Sequence, residues 1–379
     1  MPIPHFCPNP ACDFHSLTKP LSEQRWYRKN GFYPTNAFGS VQRYKCLRCC
    51  KGFSDQTFSI DYYAKRRISY KRLLNQLIST GSIRDMSREF HATTETIQNR
   101  IDRLARQCIA SHGRLLEKVR LGEDLAADGF ESFTVSQFFP CAIHLLAGCD
   151  SQYLYFTNYV TMRRKGRMTE EQKEQRKNLE KLYRADKKGI QKGFRELVNA
   201  AVALWKRGII DYLVLHTDEK PDYFRSIHRG SDAEELIQEG KWLHTWTNSN
   251  EKRTGSNPLF AVNYLDRQIR KDLCEHVRET VCFGRNVSEC MARIVVYLWH
   301  HNYKKPFRIN GQGKEYLHAE MAGLTRREIN GAIKGVMSVR RFLSLESVEP
   351  ALRRVWFKDL ETPLWGKGSA RYVPDYIAA

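Results

Sequence analysis

Two cysteine pairs at the N-terminus constrain the fold of this chain more than any other feature. Cys7 and Cys12 lie in CPNPAC, and Cys46 and Cys49 in RYKCLRCC. Thiolates two to four residues apart can reach one ion from a single turn. A longer insert then brings a second pair across from the first, which is the spacing of tetrahedral Zn²⁺ sites. The insert, RWYRKNGFYPTNAFGSVQRY, is aromatic and basic with turn residues, as short strands require. A segment of this size holds little apolar core, so metal binding is expected to supply much of its folding energy. Cys50 adjoins Cys49 as a competing thiol, and His5 and His15 are lesser ligand candidates. Cys108, Cys141, Cys149, Cys274, Cys282 and Cys290 are scattered and read as core or surface thiols. Eleven cysteines, an odd number in a chain of 379 residues, with the tight cluster at one end, argue for a reducing compartment rather than a disulfide framework.

Charge separates this end from the rest. The formal net charge is +20, and residues 1–120 carry 21 Lys and Arg against nine acids. A basic N-terminal third on a milder body points to a module that binds a polyanion. Hydrophobic residues at 41% suffice for packed cores, and aromatic residues recur throughout, which excludes wholesale disorder. No run approaches the ~18 apolar residues of a membrane span, and the first residues lack the pattern of a secretory signal. We therefore expect no membrane partner.

A helix-turn-helix is expected over 65–112. Leu73, Leu74, Leu77 and Ile78 recur at helical spacing, Gly81 ends that helix, and Ser82 caps a short second one. His91-Ala92 makes a turn, and Thr93 or Thr94 caps a third helix whose Ile97, Ile101 and Leu104 face inward. The opposite face then presents Thr96, Gln98, Asn99, Arg100 and Arg103, residue types that read bases and hold phosphates.

The body carries three well-separated acids. Asp128 ends a short apolar run in LAADGFESF, and CAIHLLAGCDSQYLYFTNYV reads as two strands joined at Cys149–Ser151. Asp218 ends the buried-strand run of IIDYLVLHTDEK. Residues 162–192 read as a solvated charged helix, and FRELVNAAVALWKRG as an amphipathic helix on the sheet. In NYLDRQIRKDLCEHVRE, Asn263, Asp266, Arg267 and Arg270 share a helix face. Acids at two strand ends can converge with one on a neighbouring helix, and three carboxylates can hold a pair of Mg²⁺ or Mn²⁺ ions for in-line phosphoryl transfer.

These segments together resemble an insertion-sequence DDE transposase with an N-terminal zinc ribbon and a helix-turn-helix ahead of a ribonuclease-H-like core. RYKCLRCCKGFS is similar to the family's second zinc knuckle, and LAADGFESF and YLVLHTDEKPDY to the stretches that hold its first two acids. VNYLDRQIRKDLCEHVRETVCFGRNVSECMARIVVYLWHHNY is similar to its closing helices. The resemblance implies an α/β fold: zinc ribbon 1–58, helix-turn-helix 65–112, a mixed-sheet catalytic domain 122–303 with a charged insert near 162–200, and a helical extension 304–379. It implies catalysis by Asp128, Asp218 and Asp266 with Mg²⁺ or Mn²⁺, and structural Zn²⁺ on Cys7, Cys12, Cys46 and Cys49. The substrates implied are double-stranded terminal inverted repeats and target DNA, handled by a homo-oligomer, a dimer by expectation, in the bacterial cytoplasm and on the nucleoid. The third acid is Asp where the family usually has Glu; Asp272, Glu275 and Glu279 are the fallbacks. Two other readings stay open: a non-catalytic zinc-containing DNA-binding regulator derived from a transposase, and a structure-specific nuclease.

Four further expectations concern single residues. Arg267, Arg270 and Arg278 either hold DNA phosphates near the acids or form a solvated face. His216 points to the side of its strand away from Asp218. His244 and Trp246 lie in a loop, and His300-His301 forms an exposed helix end. No phosphate-binding glycine loop or Ser/His/Asp arrangement is present.

Overall fold

The computed structural model describes residues 6–15, 25–248, 250–308, 315–340 and 348–368. His5 and the end of the C-terminal segment lie outside them. The N-terminal module is a three-stranded antiparallel sheet, β1 (Tyr27–Thr35), β2 (Gly39–Cys46) and β3 (Gly52–Ser54). Trp26 is buried and stacks on Phe53 at 5.4 Å between ring centroids, and Phe58 meets Phe53 edge-on at 5.8 Å. These rings are most of what the sheet can bury. Gly39 turns the β1–β2 hairpin with φ of 68°, a conformation that carries little cost only for glycine.

Three helices follow: α1 (Tyr70–Leu77), α2 (Ile83–Glu89) and α3 (Thr94–Leu116). The caps of α2 and α3 are those expected, and Ser69 adds one for α1. Ser69 accepts from the Arg72 amide, Ser82 and Asp85 form a capping box, and Thr93 accepts from the Thr96 amide. The left-handed residue after α1 is Thr80 (φ 58°), and Gly81 is needed for space: a Cβ there would lie 2.6 Å from the Gln76 carbonyl oxygen. His91 takes the left-handed turn before α3.

The expected outer face of α3 is not outside, which corrects the DNA-reading assignment of Gln98, Arg100 and Arg103. All three are buried. Arg100 pairs with Asp61 at 3.1 Å and donates to the Arg66 carbonyl at 2.8 Å. Arg103 donates to the carbonyls of Ile60 and Tyr62 and lies over the Tyr62 ring. Gln98 bonds Asp102 on its own helix and Arg293 farther along the chain. Asn99 is half-buried and accepts from Arg103 Nε. The cause is the irregular segment 59–66, whose carbonyls at Ile60, Tyr62 and Arg66 these donors meet. Arg103→Ala is therefore expected to lower stability by about 2–4 kcal/mol in urea unfolding, because it removes two buried hydrogen bonds to carbonyls.

The main sheet has five strands: β4 (Leu125–Phe133), β5 (Pro140–Gly148), β6 (Leu154–Thr161), β7 (Leu213–Asp218) and β8 (Trp242–Thr247). Their spatial order is β6-β5-β4-β7-β8. The first three form an antiparallel meander, and β7 and β8 add in parallel beside β4. The fold is thus mixed α/β with helices on the sheet. Between β6 and β7 come α4 (Glu170–Leu182), which buries no residue, and α5 (Gly189–Trp205). After β7 come α6 (Pro221–His228) and α7 (Glu234–Gln238); after β8 come α8 (Phe260–Asp272) and α9 (Val287–Tyr303).

Helix α5 packs on β5, β6 and α6, with Phe194 stacked on Tyr223 at 3.8 Å between centroids. Gly193 permits this approach, since a Cβ there would lie 2.4 Å from Val160 Cγ2. Helix α8 packs on β4 and β5, and α9 runs along α3. Asn302 of α9 bonds both the amide and the carbonyl of Leu154, which satisfies the exposed edge of β6. The chain closes with α10 (His318–Met321), α11 (Arg326–Ile333), α12 (Pro350–Trp356) and a short β9–β10 hairpin (Glu361–Thr362, Gly366–Lys367). One continuous apolar core runs from Phe6 to Leu360, so the N-terminal modules are packed onto the body. Among the described residues no helix is long and apolar enough to cross a membrane.

Candidate metal and nucleic-acid site

The four N-terminal cysteines come together. Their sulfurs all lie within 4.8 Å of one another, with Cys7 Sγ 3.6 Å from Cys49 Sγ and Cys12 Sγ 3.8 Å from Cys46 Sγ. Burial pushes the Cys7 and Cys12 thiols up. Burial also opposes ionisation of Cys49, but the Lys51 amide, Asn9 and the neighbouring thiols hold it at about 7. Four sulfurs crowded this closely with no disulfide fit one soft or borderline cation. Cys50 is exposed and outside the cluster, and His15 Nδ1 lies 2.7 Å from the Cys7 carbonyl oxygen.

The acids converge through sheet register. Leu125 pairs with Leu215 and Ala126 with His216 across the parallel β4–β7 ladder. Continued by two residues, that register sets Asp128 beside Asp218. Helix α8, packed on β4 and β5, carries Asp266 near enough to Asp128 for their charges to act on one another. The charges interact: burial and, after it, Asp218 raise Asp128 to about 6. Burial raises Asp218 as well. Asp266 is pushed well above the carboxylate range by burial and then by Asp128. Asp266 Oδ1 is buried without a hydrogen-bond partner. The oxygens are not drawn as close as the cysteine sulfurs. The groups within 4.8 Å, among the described residues, are the cysteines and one other, Glu275, His276 and Cys290. Asp218 thus acts on Asp128 and Asp128 on Asp266, and carboxylates crowded in this way, one with an orphaned oxygen, are the kind of ligand that hard divalent cations take.

Neighbouring groups fix the acids. Asp128 Oδ1 accepts from the Gly129 amide at 2.7 Å and from Tyr223 Oη at 3.3 Å. Asp218 Oδ1 accepts from the Lys220 amide at 3.1 Å, and Lys220 Nζ pairs with Glu131 at 2.9 Å. Tyr223 was not apparent from sequence; it reaches Asp128 only because residue 129 has no side chain. A Cβ on Gly129 would lie 2.7 Å from the Tyr223 hydroxyl. Gly129→Ala is expected to displace that hydroxyl, destabilise the protein by about 1–3 kcal/mol and slow any reaction that uses Asp128; urea unfolding and cleavage assays measure both.

The flanking arginines divide. Arg267 is exposed. Arg270 donates to the Glu131 carbonyl at 2.9 Å and lies over the Phe130 ring, so its charge is committed within the protein. Arg278 is exposed. Of the fallback acids, Asp272 accepts from Tyr297, Glu275 pairs with Arg293, and Glu279 is exposed. Three histidine expectations are corrected. His244 and Trp246 lie on strand β8 rather than in a loop, and His244 is buried against Thr217 and His228. His301 is buried and stacks on His318 at 3.9 Å. His216 shares the face of β7 with Asp218, two residues on, because strand side chains alternate with a period of two, and its Nδ1 lies 2.6 Å from Thr245 Oγ1.

Compared with protein-family models and with curated proteins, the chain gives no match.

Proposed function

We propose that this protein is a DNA transposase of the insertion-sequence type. It binds the terminal inverted repeats of its element and catalyses metal-dependent strand cleavage followed by 3′-hydroxyl strand transfer. The observation that carries the reading is that acids lie on two adjacent strands of the sheet, β4 and β7, and on a helix packed against β4, with Asp218 acting on Asp128 and Asp128 on Asp266. The antiparallel meander extended by two parallel strands supports reading the sheet as a ribonuclease-H-like core. The cysteine cluster supports reading residues 6–58 as a zinc ribbon.

Asp128, Asp218 and Asp266 would hold Mg²⁺ or Mn²⁺, and the ions supply Lewis-acid stabilisation of attacking and leaving oxygens. The protein's part is preorganisation. Tyr223 and the Gly129 amide set the rotamer of Asp128, and the Lys220 amide sets that of Asp218. Arg267, exposed beside Asp266, is free to meet a phosphate. The phosphate-binding face of the N-terminal modules is assigned to exposed basic residues, Arg28, Lys29 and Arg43 on the small sheet and Lys65, Arg67 and Lys71 around the start of α1.

The test uses DNA carrying the element's ends. Wild type with Mg²⁺ is expected to release 3′-hydroxyl ends, and pre-cleaved ends are expected to join a target duplex. Cleavage without joining favours a nuclease. Binding without cleavage under any divalent ion favours a regulator.

A further inference from the structure

A second buried group of ligand-type side chains lies apart from the acids and the cysteine cluster. Glu275 and His276 occupy the single turn Cys274–His276 after α8, and Cys290 the first turn of α9. Their relative exposures are 3%, 2% and 1%. One carboxylate oxygen, one ring nitrogen and the sulfur all lie within 4.8 Å of one another.

The surroundings aim three lone pairs at one point. His276 Nδ1 lies 3.1 Å from Ser132 Oγ, which leaves Nε2 facing Cys290 Sγ at 3.7 Å. Glu275 Oε2 takes both Nε and Nη2 of Arg293, the former at 2.7 Å. Glu275 Oε1 is buried with no hydrogen-bond partner, 3.6 Å from His276 Nε2. An orphaned carboxylate oxygen in a dry interior is costly unless something charged meets it. We propose that Glu275 Oε1, His276 Nε2 and Cys290 Sγ form a second zinc-type metal site.

The donor set selects the ion. Mixed oxygen, nitrogen and thiolate ligands suit borderline Zn²⁺ and not Mg²⁺. Ser132 and Arg293 supply the outer hydrogen bonds that orient a ligating imidazole and carboxylate. Arg293 repels a dication, but the Glu275 carboxylate lies between the two, and with the Cys290 thiolate it reduces the charge of Zn²⁺ and Arg293 together from +3 to +1. Three protein ligands leave a fourth position, which water takes at such zinc sites, and Gly284, beside Cys290 and Glu275, puts no side chain against them. Binding displaces the Cys290 thiol proton to solvent. The site ties the turn after α8 to α9 and, through Ser132, to β4, so it fixes the far end of the helix that carries Asp266.

The test is zinc content per full-length chain, by plasma mass spectrometry, for wild type, Cys290→Ala and Cys46→Ser/Cys49→Ser. Two zinc ions in wild type and one in each variant are expected. Cys290→Ala holding as much zinc as wild type overturns the site. If Cys290→Ala does not fold, the double variant decides: one retained zinc supports the site, and none overturns it. One zinc in wild type with none in Cys290→Ala would leave this site standing and remove the four-cysteine one.

Discussion

Asp128→Asn is expected to abolish divalent-metal-dependent cleavage, by at least about 10³-fold, while leaving binding to terminal repeats within about twofold of wild type. The side chain keeps its shape and loses the charge that a cation requires. The same substitution should change stability with a sign that depends on pH and metal. Folded Asp128 titrates at about 6, well above its ordinary 3.8, because burial and Asp218 disfavour its charge. The native state therefore prefers the proton. This favourable contribution is complete below about pH 4, declines as pH rises, and is gone above about 6. Without metal at pH 7.5, Asp128→Asn should be more stable than wild type by about 1–3 kcal/mol, and the difference should vanish at pH 4. Millimolar Mg²⁺ should stabilise wild type and not the variant. Thermal unfolding at two pH values, with and without Mg²⁺, measures all of this.

Loss of the cysteine cluster has the second large effect. Cys46→Ser/Cys49→Ser removes two of four sulfurs that meet at one point. The sheet β1–β3 buries little besides Trp26, Tyr44, Phe53 and Phe58, so it cannot stay ordered on packing alone. The variant should lose the buried-indole fluorescence of Trp26 and weaken DNA binding by about 100-fold or more. The main sheet, measured by protection of β4 and β5 amides from hydrogen exchange, should be nearly unchanged. Loss of protection across both modules would show that the shared core, and not the metal, holds the small sheet in place.

What could be read from sequence divides along physical lines. The cysteine cluster was legible because tetrahedral thiolate ligation demands its residue type at a restricted spacing. Strands β5 and β7 were legible as apolar runs. Strand β8 was not, because its burial follows neither polarity nor a clean alternation: Trp242, His244 and Thr247 are buried while Leu243 and Trp246 are exposed. The face of α3 misled for a related reason. Long cationic side chains normally mean solvent, and nothing local reveals that Arg100 and Arg103 meet carbonyls of 60–66. Those bonds span more than 30 residues. Tyr223 was hidden by the same non-locality, since its role depends on a missing Cβ at Gly129 on another element. His301 was read as exposed because two histidines end a helix, but α10 covers it with His318.

Asp266 is the acid on which the account rests most heavily, since it alone comes from a helix. The most direct measurement is Mn²⁺ titration of the zinc-loaded chain, followed by loss of the free-ion electron paramagnetic resonance signal, for wild type and Asp266→Asn. Wild type is expected to take up two Mn²⁺ per chain, and Asp266→Asn to lose at least one of them or weaken it by more than tenfold. Equal uptake by the two proteins would contradict a shared cage of Asp128, Asp218 and Asp266.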